Sequence, residues 1–277
     1  PIENKLFLND GDKFNHEKYH VIQIVLEQSY LIKSIKKFAN TLLEKSNGSV
    51  LDLCTGSGVI GQSVLPKKWT LKGIDINPRA LDYSKFNLQM NNISGNYEIA
   101  DATRNKFKEK YDLIVANPPY NAIVPIKGAK LDLTLHSGIN GDELVNACNG
   151  IAKNNLKKNG MYLMCGTILF KDNLPADKTL LDLSKKGTLV ILHQAISFID
   201  TWEGMRLLYS CTPEFLKIKN GQFKELSIKN KNYNQVAWAI IIFKNNGISK
   251  IKKIYNHATD AILISKAAEN QCIKIFS

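Results

Sequence analysis

The chain lacks any apolar run approaching the roughly 20 residues a bilayer-spanning helix needs. Its longest candidate, Val236–Phe243, is short and predicts a buried strand. Pro1–Tyr19 is polar and charged, without the apolar stretch of a secretory signal, so a cytoplasmic location with no membrane partner is expected. Cys54, Cys148, Cys165, Cys211 and Cys272 are scattered, with no C-x-x-C pair and no Cys/His cluster. That spacing suggests neither a zinc site nor a disulfide framework. His16, His20, His136, His193 and His257 likewise show no ligand spacing, and no metal is expected. Arginine is nearly missing too. Only Arg79, Arg104 and Arg206 are found among the 37 basic residues, so the net charge of +12 rests on lysine. Readers of base edges lean on arginine for bidentate contacts. Lysine, asparagine and isoleucine also share AT-rich codons, so the basicity counts only weakly toward a polyanionic partner. No internal repeat and no obvious linker divides the chain.

What is present is an alternation of strand and helix signals. Tyr19–Lys45 has helical apolar spacing and stops at Ser46-Asn47-Gly48. Strands follow at Ser49–Cys54, Thr70–Ile76, Asn96–Ala100, Tyr111–Ala116 and Gly160–Gly166. Helices are expected after the glycine turn through Ser63, from Asn77-Pro78 onward, and over Gly141–Lys157. Gly187–Ala195 and Val236–Lys244 add two strands, Phe198–Asn220 suggests an insertion or lid, and Lys217–Lys231 a solvated loop. Residues 246–277 suit either a hairpin or a helix. The expected fold is α/β, a Rossmann-like, doubly wound, mostly parallel seven-stranded sheet. Residues 1–48 form a short N-terminal helical segment, and residues 49–277 form the binding domain, with specificity elements in 171–277. Ligands of such sheets bind at the carboxyl ends of the strands.

The chemistry gathers at those ends. The first strand runs into Asp52-Leu53-Cys54-Thr55-Gly56-Ser57-Gly58, where glycines let the backbone approach a ligand closely. Gly56, Gly58 and Gly61 also satisfy G-x-G-x-x-G, so a dinucleotide must be weighed. Asp75 ends the second strand, where a carboxylate can accept from both hydroxyls of a ribose. Asp101 follows the third strand, in place to accept from an adenine amino group, although an acid after a strand is commonly a helix cap. Asn117-Pro118-Pro119-Tyr120 follows the fourth strand directly. Two prolines remove two donors and fix the backbone. The Asn117 side-chain carbonyl and the Pro118 main-chain carbonyl can then act as acceptors in one small site, with Tyr120 as a flat stacking face. A planar –NH2 donating to both carbonyls would have its nitrogen aimed at an electrophile, which is catalysis by positioning.

Together Asp52, Gly56, Gly58, Asp75 and Asp101 resemble the motifs of class I S-adenosylmethionine (SAM)-dependent methyltransferases, and the D-x-x-T-G-S-G turn looks more like that family than like a dehydrogenase. The resemblance spans roughly Ser49–Thr167. It implies SAM as cofactor, touched by Asp52, Cys54, Thr55, Gly56, Ser57 and Gly58 at the first turn. Asp75, Ile76, Asp101, Ala102 and Asn117 would complete its site. The NPPY segment resembles the amino-methyltransferases, which implies catalytic roles for Asn117, Pro118, Pro119 and Tyr120. Leu135–Leu144 is similar to the glycine-bearing segment after NPPY in HemK-type glutamine methyltransferases and some close RNA-modifying relatives. The implied acceptor is a protein or peptide glutamine, with an adenine-N6 or guanine-N2 of nucleic acid, or a small molecule, as alternatives. The fifth strand departs from the pattern. It ends Met164-Cys165-Gly166-Thr167, without the expected acid.

Overall fold

A computed structural model describes residues 2–10, 19–21, 26–104, 106–123, 132–199, 201–209, 233–256 and 266–276. Helix α1 (Leu26–Phe38) and the one-turn α2 (Asn40–Leu43) precede β1 (Ser49–Leu53), α3 (Val59–Val64), β2 (Thr70–Asp75), α4 (Pro78–Met90), β3 (Asn96–Ile99) and β4 (Tyr111–Ala116). The chain continues through α5 (Glu143–Asn155), β5 (Leu156–Lys171), the short β6 (Leu174–Pro175), α6 (Lys178–Lys186), β7 (Thr188–His193) and the short β8 (Ser197–Phe198). It closes with α7 (Trp202–Tyr209), β9 (Gln235–Lys244), β10 (Lys250–Tyr255) and α8 (Lys266–Phe276).

The strands form one sheet in the order β10-β7-β9-β5-β4-β1-β2-β3. Only β9 and the two-residue β6 and β8 pair antiparallel. Seven of these strands are the expected ones. β10 adds an eighth along the edge, parallel to β7, so residues 246–277 supply a strand and a helix rather than one or the other. Lys250, Lys252 and Lys253 on this outermost strand discourage further pairing with another chain.

Both faces of the sheet are covered. Alternate residues of β1 and β4 point to opposite sides, as the period of a strand requires. Val50, Leu113 and Val115 pack with α1 and α3, whereas Leu51, Leu53 and Ile114 pack with α5 and α6. Each fully buried Leu or Ile contributes roughly 1.5–3 kcal/mol. The N-terminal helix belongs to this core: Tyr30, Leu31, Ile35 and Phe38 are buried, and the Tyr30 and Trp238 rings lie 5.6 Å apart. At α4 the expected cap is realised, with Asn77 accepting from the Arg79 amide at 3.0 Å and Pro78 at the first helical position.

Three local differences bear on the site. Tyr19–Val21, expected to be helical, is not. Its backbone is used otherwise: Asn77 Nδ2 donates to the carbonyls of Tyr19 and His20, and the Val21 amide donates to Asp10. Asp10 is itself buried and clamped by Arg79 and by the Tyr83 hydroxyl, so this N-terminal strap is pinned across α4. Second, β5 starts earlier than expected, with an irregularity between Leu156 and Met161, and it ends later. Its pairing with β4 stops at Met164, while pairing with β9 runs on to Phe170. A two-stranded ribbon therefore rises past the end of β4, beside the NPPY loop. Third, of the expected lid over Phe198–Asn220, the described part contains α7, and Lys217–Lys231 lies outside the described residues. Among the described residues, no helix is long and apolar enough to cross a membrane.

Candidate active site

The strand ends β1, β2, β3 and β4 converge on a cleft of about 540 Å³. Its walls carry Cys54, Gly56, Asp75, Ile76, Asp101, Ala102, Asn117 and Pro119. All eight are among the residues singled out in the sequence.

The glycine turn is built from left-handed residues. Cys54, Gly56 and Gly58 have φ of 54°, 56° and 80°. A Cβ on Gly56 would meet nothing within 4 Å, because that side is open to the cleft. The turn is tied to β2 by the Gly56 amide, which donates to Asp75 Oδ2 at 2.8 Å. Asp75 Oδ1 accepts from the Asn77 amide at 2.9 Å. Burial pushes the Asp75 carboxyl up, and these backbone donors pull it back. With the Ile76 amide as a third backbone donor, part of the carboxylate's acceptor capacity is left unspent. Asp101 is more committed. Its Oδ1 accepts from both the amide and the hydroxyl of Thr103, and it caps the turn after β3.

Six of the expected residues are not on the cleft wall. Asp52, on the same face of β1 as Val50, is buried beneath the turn and accepts from the Thr55 hydroxyl at 2.6 Å and the Gly61 amide at 3.0 Å. A Cβ on Gly61 would come within 2.7 Å of this carboxylate, so the third glycine of G-x-G-x-x-G makes room for Asp52. Thr55 is buried and holds Asp52, and the Ser57 carbonyl accepts from Asn87. Gly58 turns the chain into α3. Pro118 is buried. The Tyr120 ring is packed inward, and its hydroxyl donates to Glu27 of α1 at 2.7 Å. These residues shape the site from behind.

Burial pushes the Asp52 carboxyl up to about 7, against the Thr55 and Gly61 hydrogen bonds that lower it, with the charge of Asp75 adding to the rise. Its Oδ1 finds no partner, which is why burial prevails. A folded-state pKa above the unfolded 3.8 means that the acid's contribution to stability is complete below 3.8 and is lost as pH rises through about 7. Thermal melts should therefore show the Tm difference between wild type and Asp52→Asn moving in the variant's favour as pH rises from about 4 to about 7. A difference constant across that range would contradict this assignment.

The rest of the cleft was less visible in the sequence. His20 and Val21 reach it from the N-terminal strap, and His136, Gly138, Ile139 and Glu143 close it from the segment after NPPY. That segment folds back on the loop: the Asn121 amide donates to the Leu135 carbonyl, and the Ser137 amide donates to the Asn121 carbonyl, each at 2.9 Å. Gly141 permits the return, since a Cβ there would lie 2.7 Å from the Ala122 nitrogen. Ser137 then accepts from the Leu144 amide at the start of α5. The two glycines and the serine in Leu135–Leu144 were the available signal. Among the described residues, no group of three or more His, Cys, Asp or Glu could hold a metal.

This sheet, with one antiparallel strand between β5 and β7 and a cleft at the strand ends, is the fold of class I SAM-dependent methyltransferases. A chain from Listeria monocytogenes assigned to that class superposes with a TM-score of 0.53 over 96% of this chain and 74% of its own length, at 11% identity. Residues 33–131 match the family model for the methyltransferase small domain. Ribosomal RNA small subunit methyltransferase C of Buchnera aphidicola is 32% identical over 163 residues, 53% of this chain and 44% of that protein. A release factor glutamine methyltransferase of Streptococcus pneumoniae is 37% identical over 78 residues, 27% of this chain and 28% of that protein. The chain thus spans less than half the length of these relatives.

Proposed function

We propose that the protein is a SAM-dependent methyltransferase acting on a planar amino or amide nitrogen. The observation that carries this reading is that one cleft wall joins Gly56 and Asp75 to Asn117 and Pro119. The residues present suit SAM. Gly56 offers an open backbone approach, Asp75 keeps acceptor capacity for hydroxyls, and Ile76, 49% exposed on the wall, offers an apolar face for a purine. Asp75, Asp101 and Glu143 outnumber the wall's Arg104, which pairs with Asp101, so the cleft carries an acidic excess that suits a cationic ligand. When bound, SAM supplies a methyl group made electrophilic by a positively charged sulfur.

The chain's own part is alignment. The Asn117 side-chain carbonyl, on the cleft wall, accepts from the acceptor –NH2 and holds its lone pair toward the cleft, while the buried Pro118 fixes the backbone behind it. The two prolines fix that geometry before the acceptor arrives, so little ordering entropy remains to be lost at the moment of reaction. The domain reading follows: residues 49–277 bind cofactor and acceptor, residues 171–277 help select the acceptor, and the segment 1–48 lends its strap to the cofactor side.

For the acceptor we take an exocyclic base amino group of RNA, because similarity to the ribosomal RNA methyltransferase runs over 163 residues, against 78 for the release factor enzyme. A protein glutamine is the second reading, favoured by the 37% identity to the release factor enzyme over 78 residues. Methyl-labelled SAM offered to ribosomal RNA and to release factor separates the two. Transfer to RNA that falls steeply with salt supports the first, as counterion release demands. Label confined to protein supports the second, and label in neither refutes both.

A further inference from the structure

We propose that Cys165 is a positioning residue whose thiol fixes the rotation of the Asn117 side-chain amide, an inference that rests on the catalytic reading of Asn117. Cys165 occupies the end of the regular β5 pairing, where an acid was expected from sequence, and its register places it beside Asn117. Its Sγ lies 3.0 Å from Asn117 Oδ1. The thiol is fully buried in the face of the sheet that carries α1, and burial, with the charge of Glu27 adding, pushes its pKa well above the ordinary value. It therefore remains S–H and donates.

The neighbouring residues explain why this one contact matters. Every other part of the NPPY loop is held by something else. Pro118 and Pro119 fix the backbone. The Thr167 hydroxyl donates to the Tyr120 carbonyl at 2.8 Å. The Tyr120 ring lies against Gly166, where a Cβ would be only 3.1 Å from the ring, and its hydroxyl is anchored on Glu27. One freedom remains, the half-turn of the Asn117 amide. One orientation offers an incoming –NH2 an acceptor, and the other offers it two more donors. A thiol hydrogen on Oδ1 selects the first and leaves the second lone pair of Oδ1 for the acceptor nitrogen. A carboxylate at position 165 could not do this, because it accepts only and would attract the amide –NH2, turning Oδ1 away.

The test has a kinetic arm and a spectroscopic arm. Cys165→Ala should lower kcat about tenfold with SAM affinity unchanged, and Cys165→Ser, which keeps a donor, should recover most of that loss. In the resting protein without SAM, the infrared S–H stretch of Cys165, assigned by its disappearance in Cys165→Ser, should move to higher frequency in Asn117→Ala, because its acceptor is gone. An unmoved band overturns the proposal even where the Cys165 variants fold poorly. So does a Cys165→Ser enzyme as slow as Cys165→Ala, or a Cys165→Ala enzyme as fast as wild type. If instead Asn117→Ala still turns over normally, the catalytic reading of Asn117 itself fails, and the two failures remain distinct.

Discussion

Asn117→Ala should all but abolish methyl transfer while leaving SAM affinity nearly intact. The side chain is at the carboxyl end of β4, on the wall shared with Gly56 and Asp75, and its amide oxygen is already oriented by Cys165. Removing it deletes an acceptor aimed at the reacting nitrogen but no group that the cofactor half of the cleft depends on. Loss of a positioned polar group of this kind lowers turnover by roughly 10²–10⁴-fold. The effect falls on kcat, since the interaction serves the aligned complex more than loose binding. The check is a pair of measurements on one preparation: calorimetric titration with SAM, and single-turnover transfer. Loss of SAM binding in the variant would move Asn117 from acceptor to cofactor chemistry. Unchanged turnover would remove it from the reaction.

Asp75→Ala should have the complementary outcome, weakening SAM binding about 100-fold or more. The carboxylate does two things at once. It would receive the ligand's hydroxyls, and it already receives the amides of Gly56 and Asn77, tying the glycine turn to the start of α4. Hydrogen bonds to a charged group are each worth roughly 1.5–3 kcal/mol, so losing both the ligand's bonds and the turn's anchor outweighs a single contact. Asp75→Asn, which keeps one acceptor oxygen, should fall between the variant and wild type. Circular dichroism and titration together check this: binding lost with the fold intact is expected, and binding equal to wild type would contradict the assignment.

Much of this site was legible because its chemistry depends on local sequence. Three successive demands for left-handed or close-approach backbone write glycines into the first turn, and the rigid exit from β4 is written as two prolines. Asp52 shows the limit. It lies in a strand buried on both faces, where apolar runs lose the alternation that tells inward from outward, so its place behind the turn emerged only from the packing with Thr55 and Gly61. The strap carrying His20 and Val21 was invisible for a different reason. It is held by side chains such as Asn77, 58 and 57 residues away from Tyr19 and His20 in sequence, which read their partners' backbone rather than their side chains. Tyr120, expected as an open stacking face, is instead absorbed by Glu27 and Gly166, two positions that no spacing rule connects to NPPY. The acid expected at the end of β5 is replaced by Cys165-Gly166-Thr167, which reads as an irregularity in sequence and as the bed of the NPPY loop in space.

The most direct measurement of the central claim is the identity of the atom that receives the methyl group. Product formed from methyl-labelled SAM and the acceptor is digested to nucleosides or amino acids, and the label's position is read by fragmentation in the mass spectrometer. Methyl is expected on an exocyclic amino or side-chain amide nitrogen, formed by wild type and absent with Asn117→Ala. Methyl found on carbon, on oxygen or on sulfur, or formed equally by the variant, would contradict it.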